Sequence, residues 1–345
     1  MEQAKHNWGT VSQYRSQLFG ISIIFIMIFH YFEHAIEDSP MRIVQLAGKG
    51  YNLLIGSTGV EIFLFLSGMG LYFSMTRTPD IQKFYQKRFQ RILIPYLIWG
   101  GIFWLWKDIL LRHESVGTFL LDYSTLSLWT SGNKNLWYVS FILVMYLLFP
   151  LLFMGLKGTC RYRGLVAWGG TILLFAGTIA LKFAAPELYD HIEIALYRIP
   201  IFLIGAYYGK AIAEKRAFKA IDLLLPALGI ALKGFSKVQT ALIGTELISN
   251  RLVNCFYVFF VMGLLLLILP LLSGTFVEKA LLFCGKLSFE LYITHVTLRT
   301  LMNNYGLQTY HILYYAGCIL IAFLLSILLG KLSDWILAKG NPKTA

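Results

Sequence analysis

Three ionisable side chains lie within long apolar runs of this sequence. His30 ends the run LFGISIIFIMIFH, Glu61 lies in GVEIFLFLSG, and His295 lies in LSFELYITHV. An ionisable group inside a bilayer is costly unless it is paired or hydrated, so each of these residues is a candidate for function. A histidine can act as a general base when a carboxylate orients its ring or stabilises its cation. The alternative is a structural role, in which these side chains only hydrogen-bond neighbouring helices.

The three residues are predicted to lie at a similar depth. At 1.5 Å of rise per residue, His30 and His295 lie about 20 and 21 Å above the cytoplasmic ends of their helices. Glu61 enters from the opposite side and lies about 16 Å from the inner face of a core about 30 Å thick. One layer of the bilayer could therefore hold a base and its partner. Ser288, Tyr292 and His295 also share one helix face, and this polar stripe is expected to line a cavity.

A second group of candidates is basic. The segment KFYQKRFQRILIPY places four cations at helical spacing before the third apolar run, namely Lys83, Lys87, Arg88 and Arg91. Arginine forms planar, bidentate hydrogen bonds to phosphate, so the segment could bind the phosphates of a cytosolic donor. It could equally be an anchor that contacts lipid phosphates on the cytoplasmic side of a membrane. The spacing leaves both interpretations open.

The composition predicts the kind of protein that must position these residues. Of 345 residues, 57% are hydrophobic and 14% are charged, whereas a soluble domain carries about 25% charged residues. This composition excludes a soluble domain, a disordered chain and a disulfide-rich scaffold, and it favours a polytopic membrane protein. The net charge of +12 has no soluble basic module to accompany it, so nucleic-acid binding is not expected.

The cysteines suggest no metal site and no redox motif, because none of them form a Cys-x-x-Cys pair. They are Cys160, Cys255, Cys284 and Cys318. The first apolar run has no small-residue cleavage site after it and is interpreted as a retained helix.

Ten apolar runs are long enough, or nearly so, to span a bilayer. They cover residues 17–35, 52–74, 92–112, 136–156, 164–183, 196–212, 220–235, 251–272, 281–301 and 311–337. The fold class is therefore predicted to be all-α, with about ten transmembrane helices in one domain over residues 1–345. No predicted loop is long enough for a separate catalytic domain, so any chemistry must use the helices and short loops.

The loops predict the orientation of the chain. Basic residues concentrate after the second, fourth and sixth runs, while the alternate loops are acidic. The positive-inside rule then places both termini in the cytoplasm of a multi-pass protein of the cell membrane.

Six segments in this order resemble the acyltransferase family three of integral membrane acyltransferases. They are LFGISIIFIMIFH, GVEIFLFLSGMGLYF, RFQRILIPYLIW, NLWYVSFILVMYLLFP, RIPIFLIGAYYG and LSFELYITHV, and together they extend over most of the chain. The resemblance implies about ten membrane helices and transfer of an acyl group to a hydroxyl of a carbohydrate or other envelope molecule. The co-substrate it implies is an acyl-CoA, most commonly acetyl-CoA, with no tightly bound cofactor and no metal.

The family motifs transfer to this sequence residue by residue, with one departure. His30 matches the histidine of an Arg-x10-His motif, and Arg88 with Arg91 matches an Arg-x-x-Arg motif. The arginine that opens the first motif is replaced by Phe19. Arg15 lies one turn before Phe19, and its long side chain could reach the same place.

The resulting hypothesis is a membrane O-acyltransferase. His30 would be the general base and Glu61 its orienting partner, while Arg88, Arg91 and Arg15 would bind the phosphates of the donor. Tyr292 and His295 would line the side of the acceptor, an envelope glycan or its lipid-linked precursor. Direct transfer and a covalent acyl-histidine relay both remain open.

Two other functions fit parts of the pattern. A proton-coupled secondary transporter would explain His30 and Glu61 within the membrane, although no internal repeat is evident. A sensor or scaffold that kept the fold and lost the chemistry would explain Phe19. Transfer from acetyl-CoA by the purified protein would distinguish the three hypotheses.

Overall fold

The protein is a bundle of α-helices. The computed structural model describes residues 7–39, 41–158, 160–243, 249–306 and 312–340, and within these ranges it contains no β-strand. The helices are α1 Gly9–Gln13, α2 Arg15–Asp38, α3 Arg42–Leu54, α4 Thr58–Arg77, α5 Ile81–Trp104, α6 Val116–Tyr123, α7 Ser127–Ser131, α8 Trp137–Leu156, α9 Cys160–Gly164, α10 Gly170–Ala184, α11 Pro186–Leu196, α12 Ile199–Ala213, α13 Leu224–Ile243, α14 Asn250–Ile268, α15 Phe276–Lys286, α16 Ser288–Asn304 and α17 Ile312–Gly340. The predicted all-α membrane class is confirmed.

Eight stretches of the described chain are long and apolar enough to cross a membrane. They are Arg15–Phe32, Arg42–Arg77, Ile81–Leu111, Trp137–Leu156, Arg161–Ala184, Pro186–Ala213, Asn250–Leu272 and Tyr314–Lys339. The predicted run 220–235 corresponds to a short 3₁₀ turn followed by α13. The predicted start of the last run, residue 311, lies outside the described residues.

The predicted single helix over 281–301 is wrong, because two helices divide this stretch. α15 ends at Lys286 and α16 begins at Ser288, so α16 has only 17 residues. Arg91 Nη2 donates a hydrogen bond of 3.3 Å to the carbonyl oxygen of Lys286. The last carbonyl groups of a helix need such partners, and this bond satisfies one where the chain turns.

The basic segment before the third apolar run also differs from the prediction. It belongs to α5 itself, which begins at Ile81 and continues through Pro95 to Trp104. The carboxylate of Asp80 accepts a hydrogen bond of 3.1 Å from the backbone N–H of Lys83 and caps the helix. Arg88 and Arg91 therefore extend directly from a membrane helix, not from a preceding loop.

α4 lies at the centre of the bundle and packs against α2, α12 and α14. It is apolar on every side, as expected of a helix surrounded by other helices, and most of its residues are buried. Glycines allow the closest approach. A Cβ added at Gly68 would lie 2.1 Å from the carbonyl oxygen of Phe202, and one at Gly205 would lie 2.2 Å from that of Phe65. Small residues at these crossings let membrane helices pack backbone to backbone.

We predict that Gly205→Ala destabilises the bundle. The added methyl group would overlap the Phe65 carbonyl oxygen, so α4 and α12 must separate, and overpacking of this kind costs about 1–3 kcal/mol of unfolding free energy. Thermal unfolding of the purified protein in detergent measures the effect. Gly177→Ala on α10 is the matched control, because a Cβ there meets nothing within 4 Å. Equal unfolding temperatures for the two variants would contradict this account of the crossing.

Candidate active site

Two of the predicted residues, His30 and His295, contact each other. His30 on α2 and His295 on α16 are 265 residues apart in the sequence, yet His30 Nδ1 lies 3.1 Å from His295 Nε2. Their rings are stacked, with centroids 5.3 Å apart and planes 30° apart. His295 is buried, with 3% of its surface exposed. The similar depths predicted for these residues agree with this contact.

The hydrogen bonds around this pair define which nitrogens carry protons. His295 Nδ1 lies 2.7 Å from the carbonyl oxygen of Leu291, which can only accept, so Nδ1 carries a proton. In the neutral ring, His295 Nε2 is then the acceptor, and His30 Nδ1 donates to it. The lone pair of a neutral His30 therefore lies on Nε2, because the hydrogen bond of one ring nitrogen selects the state of the other.

Glu61 forms no hydrogen bond with His30. It is buried in the first turn of α4, and neither carboxylate oxygen forms a hydrogen bond within the described part of the chain. Arg198 is the charged side chain that acts on it most strongly. Within the described residues it is His295, not Glu61, that is hydrogen-bonded to His30, and the role of Glu61 in stabilising the His30 cation stays a prediction.

Arg198 is a buried cation to which the sequence analysis assigned no role, although it begins one of the quoted segments. Its guanidinium lies over the ring of Trp137, 4.7 Å from the centroid. Its Nη1 donates a hydrogen bond of 3.0 Å to the carbonyl oxygen of Ile194. With 5% of its surface exposed, it supplies positive charge to the same interior region as Glu61. An arginine adjoining an apolar run was the available signal in the sequence.

Tyr292 lies next to His295, with ring centroids 6.2 Å apart. Its hydroxyl accepts a hydrogen bond of 3.3 Å from the backbone N–H of Tyr138. It also lines a small apolar cavity of about 20 Å³, together with Ile26, Val60, Phe63, Trp137 and Tyr138. That volume is about the space needed by one water molecule. The expectation that this helix face lines a cavity holds for Tyr292.

Arg15 and Arg88 converge at the other end of α2. Arg88 donates hydrogen bonds of 3.3 Å from Nη2 to the Gly70 carbonyl oxygen and from Nε to Ser74 Oγ. A Cβ added at Gly70 would lie only 2.7 Å from Nη2 of Arg15, so the absence of a side chain there makes room for this guanidinium. Arg15 thus reaches the region of Arg88, as its length allows.

Phe19, the departure from the family motif, lies between the arginines and the cavity. The guanidinium of Arg15 lies 5.4 Å from the centre of the Phe19 ring, within the range of a cation–π contact. The Phe19 ring in turn packs edge-on against Phe63 at 5.0 Å, and Phe63 lines the cavity beside Tyr292. Phe19 therefore supplies no cation itself, but its ring packs against the guanidinium of Arg15.

Arg91 has different partners from Arg88. Its Nη1 lies 3.3 Å from Oε1 of Glu290, whose side chain is fully buried, and its Nη2 contacts the end of α15. The two arginines were predicted to act together on donor phosphates. The structure instead connects Arg91 to α15 and α16, and α16 also carries His295.

A family profile described as "Acyltransferase domain" matches residues 20–331, which is nearly the whole chain. The chain belongs to this acyltransferase family. It is therefore a membrane acyltransferase. Comparisons with curated proteins and with solved structures gave no significant match. Within this acyltransferase, α2 carries both Arg15 and His30, which its rise places about 22 Å apart.

We predict that Arg91→Ala destabilises the acyltransferase whether or not a donor is present. The change leaves the carboxylate of Glu290 buried without its ion-pair partner, which costs several kcal/mol in a fully buried pair. Because Arg91 is partly exposed, we expect a smaller loss, about 1–2 kcal/mol. The measurement is unfolding of the purified protein in detergent.

The double variant Arg91→Ala with Glu290→Gln provides the control. Neutralising Glu290 removes the unpaired charge, so stability should recover in part. No recovery would mean that the pair contributes nothing and that Arg91 acts elsewhere.

Proposed function

We propose that this acyltransferase moves an acetyl group from acetyl-CoA to a hydroxyl of an envelope carbohydrate or of its lipid-linked precursor. The observation that supports this most is the hydrogen-bonded series from Leu291 through His295 to His30, which leaves the basic lone pair on His30 Nε2. A hydroxyl is a weak nucleophile until a base removes its proton. A histidine with one defined basic nitrogen provides that base.

The proposed reaction has a simple balance. His30 Nε2 accepts the proton of the acceptor hydroxyl while the oxygen of that hydroxyl bonds to the thioester carbonyl carbon. The carbon–sulfur bond then breaks, and the CoA thiolate takes the proton from the imidazolium. His295 acts as a positioning residue, because its Nε2 accepts the Nδ1 proton of His30 and holds the ring. The alternative is a covalent relay, in which His30 Nε2 attacks the thioester carbon and the carbon–sulfur bond breaks to release the CoA thiolate. The acceptor oxygen then takes the acyl group from Nε2, that nitrogen–carbon bond breaks, and the hydroxyl proton passes to the thiolate.

The donor is proposed to bind along α2. Arg15 and Arg88 lie together at the end of α2 that carries the N-terminus, which the loop charges predict to be cytoplasmic. Guanidinium groups bind phosphates by charge-assisted hydrogen bonds, so this pair suits the CoA nucleotide. The pantetheine arm would then extend past Phe19 towards His30. Phe63, which packs against Phe19, also lines the small apolar cavity beside Tyr292, so apolar side chains continue from Phe19 towards the helix that carries His295.

Glu61 receives no proton-transfer step in this proposal. Among the charged side chains, Arg198 acts on it most strongly, and it has no hydrogen bond to His30. A buried carboxylate near a buried arginine balances charge within the bundle, and a hydroxyl-rich acceptor would also be a suitable hydrogen-bond donor to it.

We predict that His30→Ala lowers kcat by about 10²–10⁴-fold, the range typical of a lost general base. His295→Leu should also lower kcat, since it removes the acceptor for His30 Nδ1, while His295→Gln should retain more activity because its amide oxygen can accept that proton. The assay measures CoA thiol released from acetyl-CoA, with and without added envelope glycan, as a function of pH.

The matched control is His113→Asn. His113 is an exposed loop histidine with a positive φ of 54°, a conformation that asparagine tolerates. It should match the wild type. A His30→Ala protein with normal turnover would exclude the general-base role, and a normal pH profile for His295→Leu would exclude positioning.

We predict that Arg15→Ala raises the KM for acetyl-CoA about ten-fold or more, by loss of a charge-assisted hydrogen bond. Phe19→Arg added to this variant should restore donor use, because position 19 is on the face of α2 that also bears His30. Arg112→Ala, at an exposed arginine paired with Glu114, is the control and should not change KM. If Arg15→Ala also leaves KM unchanged, Arg15 has no part in donor binding.

A further inference from the structure

A cleft of about 570 Å³ opens at the end of the bundle that carries the N-terminus. It is lined by the end of α12, the chain that follows it, and parts of α9 and α13. Basic, acidic, aromatic and apolar side chains contribute, including Arg163, Lys210, Arg216, Lys219, Glu214, Asp222, Trp168, Tyr207, Ile221 and Leu224. Four basic residues face two acidic residues, so the cleft is positively charged overall.

The cleft is separate from the paired arginines of the proposed donor site. Arg88 contacts Gly70 and Ser74 of α4, whereas the guanidinium of Arg163 lies over the ring of Tyr72, 5.7 Å from its centroid. Residues 70 and 74 share a face of α4, and residue 72 points away from it, because successive residues turn by about 100°. α4 therefore stands between the two groups of cations.

Arg163 is the feature of the cleft that points to a ligand. Only 6% of its surface is exposed, and its Nη2 donates a hydrogen bond of 2.8 Å to the carbonyl oxygen of Tyr207. Its Nε is buried and has no hydrogen-bond partner within the described residues. Buried polar groups normally have partners, and a guanidinium has a fork of donors that fits a phosphate. Arg163 thus lines a positive cleft and carries a buried donor that no described residue satisfies.

The acidic residues of the cleft are already paired. Asp222 accepts hydrogen bonds from Arg216 Nη2 at 2.7 Å, from the indole of Trp8 at 3.2 Å and from the backbone N–H of Lys219 at 2.9 Å. Glu214 lies 3.7 Å from the ammonium of Lys210. Within the described chain, Arg163 and the side chain of Lys219 have no acidic partner. An anion entering the cleft would therefore meet two cations that no carboxylate neutralises, although the guanidinium of Arg163 also lies over the rings of Tyr72 and Tyr207.

The rim of the cleft is apolar. Ile221 and Leu224 are 61% and 59% exposed, and both line the cleft. In a membrane protein, exposed aliphatic side chains next to basic residues mark the boundary between acyl chains and headgroups. A ligand that fits this arrangement has a phosphate group attached to hydrocarbon chains.

We propose that this cleft binds the headgroup of an anionic phospholipid, with its phosphate on Arg163 and Lys219 and its acyl chains over Ile221 and Leu224. The bound lipid would also hold in place the segment after α12 that lines the cleft. The backbone N–H of Trp8 donates to the carbonyl oxygen of Arg216 at 2.9 Å, so the N-terminal segment and the residues after α12 pack together there. A ligand that binds only the folded state stabilises it, so the lipid should raise the unfolding temperature.

The test uses the 345-residue chain purified in detergent, with dioleoylphosphatidylglycerol as the anionic probe and dioleoylphosphatidylcholine as the zwitterionic one. Native mass spectrometry measures retained lipid, and thermal unfolding measures stabilisation. We expect the wild type to retain phosphatidylglycerol in preference to phosphatidylcholine. Arg163→Gln and Lys219→Glu should each lose this preference by about ten-fold or more, since each removes a charge-assisted contact.

Lys279→Glu is the matched control for charge reversal, because Lys279 is an exposed lysine of α15 outside the cleft. It should behave like the wild type. Lys219 is exposed, so its variant tests the proposal even if Arg163→Gln fails to fold. Unchanged phosphatidylglycerol binding by Lys219→Glu, or equal retention of both lipids by the wild type, would overturn the proposal.

A second arm distinguishes a lipid from a soluble phosphate compound. Glycerol 1-phosphate at millimolar concentration carries the phosphate without the chains, and we expect it neither to displace phosphatidylglycerol nor to raise the unfolding temperature. Displacement or equal stabilisation by this probe would overturn the lipid assignment in favour of a soluble phosphate ligand.

Discussion

Backbone contact at glycines holds together the helices that carry the candidate functional residues. Gly68 and Gly205 bring α4 against α12, and Gly20 and Gly285 bring α2 against α15. A Cβ added at Gly20 would lie 2.1 Å from the carbonyl oxygen of Leu281 on α15, and one at Gly285 would lie 2.0 Å from that of Ser16 on α2. In a bilayer the solvent is as apolar as the side chains, so helices associate through such close packing. The positions of α2, α4 and α12 relative to one another follow from these crossings.

With the helices held in this way, buried charge separates into distinct groups. Arg15 at one end of α2 lies near Arg88 of α5, and the other half of α2 carries His30 in contact with His295. Apolar and aromatic side chains fill the space between, including Phe19 and those around the small cavity. This division suits a substrate with a charged nucleotide at one end and a neutral thioester at the other, because each part meets groups of matching polarity.

α16 connects an ion pair with α5 to the histidine pair. Its first turn holds Glu290 beside Arg91, and one and a half turns later it presents His295 to His30. The ion pair with α5 therefore limits how α16 can rotate, and rotation would move His295 away from His30. The ion pair thus connects Arg91 to the helix that carries His295.

Hydropathy alone determined the all-α membrane class and most of the spanning segments, because the length of an apolar run is a local property. Depth could also be predicted, since the rise per residue placed His30 and His295 in one layer. The rotation of each helix about its axis and the choice of neighbouring helices depend on packing between distant segments. Neither can be predicted from a single sequence. Only the tertiary structure therefore decided that His295 and not Glu61 contacts His30, that Arg15 extends to Gly70, and that a loop and three helices enclose a basic cleft around Arg163.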